Sequence, residues 1–193
     1  HSTIVTQPYA ADMGLGELKF KADVVTISHD ALGHNFTQAV SGMEHVLDGP
    51  GEYEIGSVFI TGISTSSKSR KFNNIIYVFD YDGLTVAHLG DIGAVPSQKQ
   101  IEDLEMVNVL LVPVGAGSSL NAARAAELVS MIEPNIVIPM HYELPGLKPT
   151  LDPLEKFLKE MGATDAKVAP SLKVSSADSL PEETEVVILS FKE

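Results

Sequence analysis

Ala22-Asp23-Val24-Val25-Thr26-Ile27-Ser28-His29-Asp30-Ala31-Leu32-Gly33-His34-Asn35 is the stretch on which the reading of this chain turns. Its first half is an apolar, β-branched run of strand length. Its second half is a polar loop with histidines at 29 and 34. Two other places repeat the arrangement. Thr85–Leu89 runs into Gly90-Asp91, and Asn135–Met140 runs into His141-Tyr142. A strand end can hold a side chain rigidly at a sheet edge, so three separate strand ends would deliver His29, His34, Asp91 and His141 to one place. Imidazole and carboxylate converging in this way make a metal site, and two histidines with one carboxylate leave positions open for water or substrate.

Outward from these loops, Thr3–Thr6, Val58–Ile63, Ile75–Phe79, Val107–Val112 and Glu185–Ser190 read as further strands. Asp82-Gly83 marks a hairpin. Glu52 and Glu54 alternate with Tyr53 and Ile55, the pattern of an edge strand with one wet face. Pro96-Ser97 with Gln100 three residues on is a capping box that opens a helix. Ser118 or Ser119 is expected to cap a second helix carrying Leu120, Ala123, Leu128, Met131 and Ile132 on one face, with Pro134 stopping it. A third runs from Asp152-Pro153 to Gly162. Strands come first, then strands and helices alternate. One sheet-containing α/β domain over 1–193 follows, with helices outside.

Composition narrows the function. Thirteen Lys and Arg face 26 Asp and Glu, a net charge of −13 with no basic block, which argues against nucleic acid or an anionic membrane as partner. With no cysteine, a metal would rest on histidine and carboxylate, which suits zinc, iron or manganese. No apolar run approaches the roughly 20 residues of a membrane span. No leader is legible, and the cytoplasm is the expected compartment. An acidic chain this rich in apolar residues is compatible with homo-oligomers, but no exposed apolar stripe can be identified. Gly115-Ala116-Gly117-Ser118-Ser119 leads from a strand to a helix, so Gly115, Gly117 and Ser118 are a weak candidate anion site. An ordinary capped turn is the competing reading. His88 alternates with Val86 and reads as a hydrogen-bonded strand histidine. There is no Gly-x-Ser-x-Gly elbow to support a serine hydrolase.

Ser28-His29 to His34 resembles the His-x-His-x-Asp-His loop of the metallo-β-lactamase superfamily. Thr3–Tyr9 is similar to the Thr-Asp-Pro strand that precedes that loop, with Gln7 in place of the aspartate. His88-Leu89-Gly90-Asp91, Val112–Gly117 and Ile138–Tyr142 follow in the family's order, most like the branch of ascorbate-phosphate-lactonase-like hydrolases. The resemblance covers roughly residues 2 to 142. It implies a four-layer αββα sandwich, an α+β arrangement whose own first strand falls outside this sequence. Ala31 stands where the family has its second histidine and Gly33 where it has aspartate. Thr65-Ser66-Ser67 stands where it presents a further histidine.

Sorting the surviving residues by family site leaves His34, Asp91 and His141 as ligands of one zinc or manganese ion. Asp91 and His29 are then the catalytic residues, with His29 orienting groups or shuttling a proton. The expected function is at most a single-metal hydrolase of a small-molecule ester, lactone or phosphoester. The alternative is a metal-free, inactive descendant that binds a small molecule or a protein.

Overall fold

A computed structural model describes residues 1–66 and 73–191. Its largest element is an eight-stranded sheet. In spatial order this runs β12 (Lys167–Ala169), β13 (Glu185–Leu189), β11 (Ile136–Met140), β10 (Val109–Pro113), β9 (Leu84–His88), β8 (Asn74–Tyr81), β7 (Val58–Thr65) and β6 (Gly51–Ile55). The half from β6 to β9 is antiparallel and built of hairpins. Asp82 (φ 60°) and Gly83 (φ 88°) form the β8–β9 turn in the left-handed region that a two-residue hairpin demands. The other half, β9 to β12, is parallel throughout. A second sheet, of three parallel strands, has β3 (Val24–Thr26) between β1 (Ile4–Thr6) and β5 (His45–Leu47).

β8 shows how the layers stack. Ile76 and Val78 point to one side and pack with Ala125, Leu128, Phe157 and Leu158 of α2 (Ala122–Ile132) and α3 (Leu154–Glu160). Ile75, Tyr77 and Phe79 point to the other side and pack with Val24 and Leu47 of the small sheet. A strand buried on both faces must be apolar at every position, as this one nearly is. The Tyr77 hydroxyl donates to Leu47 O at 2.8 Å, pinning the two sheets together. Beyond the small sheet, Val25 and Ile27 pack against Ala22 and Val40. The outermost layer is therefore the short pair β2 (Phe20–Lys21) and β4 (Val40–Ser41) with a 3-10 turn at Thr37–Ala39.

The capping box holds at α1 (Gln98–Glu102): Ser97 and Gln100 bond each other's backbone. The α2 cap needs correction. Neither Ser118 nor Ser119 caps it; Asn121 does, its side chain accepting from Arg124 N at 3.0 Å. Ser119 turns back to Ala116 O, and Ser118 has a distant partner described below. No helix is long and apolar enough to cross a membrane among the described residues.

Candidate metal centre

The C-terminal ends of β3, β9 and β11 deliver His29, Asp91 and His141, and the loop after His29 curls back to add His34. Ala31 N donates to His29 O and His34 N to Ala31 O, both at 3.1 Å, while Asn35 Nδ2 bonds Asp30 Oδ1 across the loop. The rings of His29 and His34 are 4.6 Å apart, and that of His141 meets His34 edge-on at 5.2 Å. His29, His34 and Asp91 each present a donor atom, all within 4.8 Å of one another. Asp91 is 3% exposed. Its Oδ2 lies 3.7 Å from His29 Nε2 and its Oδ1 lies 3.8 Å from His141 Nδ1. The four residues singled out from sequence therefore converge on one spot.

Asn74, at the start of β8, holds Asp91 in place. Its Oδ1 accepts from Asp91 N at 2.8 Å, and its Nδ2 donates to Leu89 O at 2.9 Å. Gly90 between them has φ 64°. A Cβ there would come within 2.4 Å of Asn74 Oδ1 and 2.6 Å of Ser28 Cβ, so glycine alone fits. Ser118 Oγ donates to Asp91 Oδ2 at 2.7 Å.

A polar chain runs behind His29. Gln7 Nε2 donates to Ser28 Oγ, and Ser28 Oγ lies 2.9 Å from His29 Nδ1. With the amide N–H already directed at Ser28, the serine proton is left for His29 Nδ1. That places the imidazole proton on Nε2, the atom facing Asp91. Gln7 has φ 45°, and its Oε1 is buried with no hydrogen-bond partner among the described residues.

Sequence reasoning assigned no site role to Asn74 or Ser28, while it read His88 as the hydrogen-bonded strand histidine that it is. The bonds of Asn74 and Ser28 reach across the fold and leave no local signal. For His88 the alternation with Val86 was the available signal. Its ring is buried at 4% exposure, and its Nδ1 accepts from Gly90 N at 3.1 Å. Burial, and then the neighbouring His141 and His34, lower its pKa to about 3, so it stays neutral.

Of the weak anion-site residues, Ser118 lies at the cluster through Asp91. Gly115 packs instead on the β11 turn, where an added Cβ would sit 2.1 Å from His141 O. Gly117 lies beside Leu151. Of Thr65-Ser66-Ser67, Ser67 lies outside the described residues, and Thr65 accepts from Asn74 Nδ2 at 3.2 Å.

Tetrahedral ligands at 2.0–2.2 Å from a zinc ion stand about 3.3–3.6 Å apart. His141 Nδ1 stands 3.8 Å from Asp91 Oδ1, only slightly wider, a His34 nitrogen lies within 4.8 Å of an Asp91 oxygen, and the donors are all nitrogen and oxygen. These residues fit a divalent ion such as zinc or manganese.

A two-sheet sandwich with helices outside, and a histidine–aspartate cluster at its strand ends, defines the metallo-β-lactamase class of fold. Residues 1–141 match the family described as the β-lactamase superfamily domain, and the chain belongs to that family. It is similar to a UPF0173 metal-dependent hydrolase of Natranaerobius thermophilus, 29% identical over 60% of this chain and 51% of the relative. It is 34% identical to a UPF0173 protein of Pyrococcus furiosus over 57% of this chain and 49% of the relative. The chain thus spans about half the length of these curated relatives. A crystal structure from Thermotoga maritima, assigned to the Zn-dependent hydrolases of the metallo-β-lactamase superfamily, superposes with a TM-score of 0.79. It is 34% identical, over 97% of this chain and 89% of that one.

Proposed function

We propose that the chain is a single-metal hydrolase of an ester, lactone or phosphoester. The observation that carries this reading is the convergence of three histidines on one buried carboxylate, with donor atoms of His29, His34 and Asp91 within 4.8 Å of one another and His141 Nδ1 3.8 Å from Asp91 Oδ1. His34, Asp91 and His141 would hold the ion, zinc or manganese. When bound, it supplies Lewis acidity and a water-derived nucleophile near neutral pH. The remaining work falls to the chain. Asp91, fixed by Asn74 and Ser118, holds its carboxylate in one orientation. His29, with its proton on Nε2, donates to the leaving oxygen and is held in that tautomer by Ser28 and Gln7. Membership of a metal-dependent hydrolase family supports the same reading.

The test is metal content per chain after loading with zinc or manganese. About one equivalent is expected, lost in His34→Ala and in His141→Ala. His29→Ala should keep the metal and lose turnover. A second reading, a metal-free binding protein, is favoured by the Ser118 hydroxyl, which already supplies Asp91 with a neutral hydrogen-bond donor, and by Ala31 and Gly33 in the loop. Protein that remains metal-free after loading would establish that second reading and overturn the first.

A further inference from the structure

The cleft above the cluster encloses about 520 Å³. Its floor is polar, but its walls are hydrocarbon. Leu111, Ile138 and Leu189 come from the inner face of β10, β11 and β13, where the small sheet no longer covers the large one. Leu144, Leu147 and Leu151 come from the segment joining β11 to α3. Among the lining residues Leu32 is 80% and Phe191 38% exposed, so the apolar surface continues out to solvent. Among the described residues no lysine or arginine lines this space, and Asp91 is its one carboxylate. A phosphoester or a second carboxylate would find no lysine or arginine beside the metal ion to pair with, against a chain of net charge −13.

Within the hydrolase reading, on which this step rests, we infer that the site takes uncharged carboxylic esters or lactones bearing an apolar chain. The carbonyl lies at the His29–Asp91 end, and the chain runs along the leucine-lined wall. Hydrolysis adds the oxygen of water to the carbonyl carbon and breaks the acyl C–O bond. The leaving oxygen departs as the alcohol, taking its proton from the attacking water, while His29 Nε2–H donates a hydrogen bond to it and steadies the developing charge. The acid product releases its own proton to solvent. The leucine walls exclude bulk water from the reacting carbonyl and supply binding in proportion to chain length.

Two measurements test this separately from the metal chemistry. The first is calorimetric binding of straight-chain 1-alkanols, butanol to octanol, to the metal-free chain, with phenyl phosphate as the charged comparison. Affinity should rise about 4-fold per methylene, the equivalent of roughly 0.8 kcal/mol for each buried CH₂. Leu147→Asp, at a partly exposed loop position, should abolish that chain-length dependence. The second is kcat/KM of the zinc-loaded chain on p-nitrophenyl esters from acetate to octanoate and on p-nitrophenyl phosphate. It should rise on the order of 100-fold between the butanoate and the octanoate, with the phosphate not cleaved. Flat alkanol affinity, or phenyl phosphate binding more tightly than octanol, would overturn the inference even if the zinc-loaded chain hydrolyses phosphoesters. A steep alkanol series without ester turnover would leave the apolar site standing and sink the hydrolase reading instead.

Discussion

Replacing Asn74 by alanine tests whether the carboxylate at the centre of the cluster is placed by a residue that is not itself a ligand. Asn74 is 3% exposed and bonds Asp91 N, Leu89 O and Thr65 Oγ1 through one amide. Alanine leaves the buried Asp91 N–H and Leu89 C=O without those bonds, and each unsatisfied group costs about 1–3 kcal/mol. The expected loss is therefore about 2–6 kcal/mol. For a chain of this size that lowers the melting temperature by roughly 5–15 °C. The turn at Gly90 also loses its anchor, so metal affinity should fall about 10- to 100-fold, as for other partners that orient ligands from behind. Asn121→Ala separates the two effects. It removes the α2 cap at a cost of about 1 kcal/mol and lies away from Asp91. Urea unfolding and zinc titration of both variants decide the matter. If Asn74→Ala is destabilised but binds zinc as the wild type does, Asn74 is only a structural residue and its role in placing Asp91 is refuted.

Two further outcomes follow from the same geometry. Because the folded chain holds His88 neutral down to about pH 3 while an unfolded histidine protonates near 6.5, the unfolded state binds the extra proton between these values. Stability should fall as pH drops through that window, and urea titrations of His88→Gln should show a smaller fall. Gly115→Ala drives a Cβ against the backbone of His141 and Tyr142. It should cost about 1–3 kcal/mol and weaken zinc binding, and wild-type values in both assays would show that the close approach is not needed.

The parts of the fold that were legible are those whose physics is local. The β8–β9 hairpin rests on Asp82-Gly83, two residues that tolerate positive φ. The α1 capping box is complete within four residues. The strand ends at His29, Asp91 and His141 are visible because an apolar run stops abruptly at a polar residue. The short strands β2, β4, β5 and β12 were missed. Two or three residues show no periodicity, and His45 and Val46 of β5 are exposed, so only backbone pairing across the fold makes them strands. The α2 cap fails for a related reason. Ser118, Ser119 and Asn121 are chemically similar candidates in a row, and the choice is settled by Asp91, which takes the Ser118 hydroxyl.

The loop at 29–34 carries the argument furthest. Gly33, where the family resemblance implies an aspartate, has φ 89°, and a Cβ on it would stand 2.6 Å from the terminal methyl of Met13. A side chain at this position therefore meets an unfavourable backbone conformation and an occupied space together. Met13 can move, being the flexible end of a side chain, but the backbone conformation remains. The absence of a carboxylate at position 33 is thus built into the shape of the loop as well as into its sequence. It leaves the carboxylate role at the centre to Asp91, and the wall where Gly33 sits belongs to the apolar cleft with Met13 and Leu32. Ala31 and Leu32 of the same loop line the cleft as well, so on the reading proposed above this loop would hold a substrate by its apolar chain.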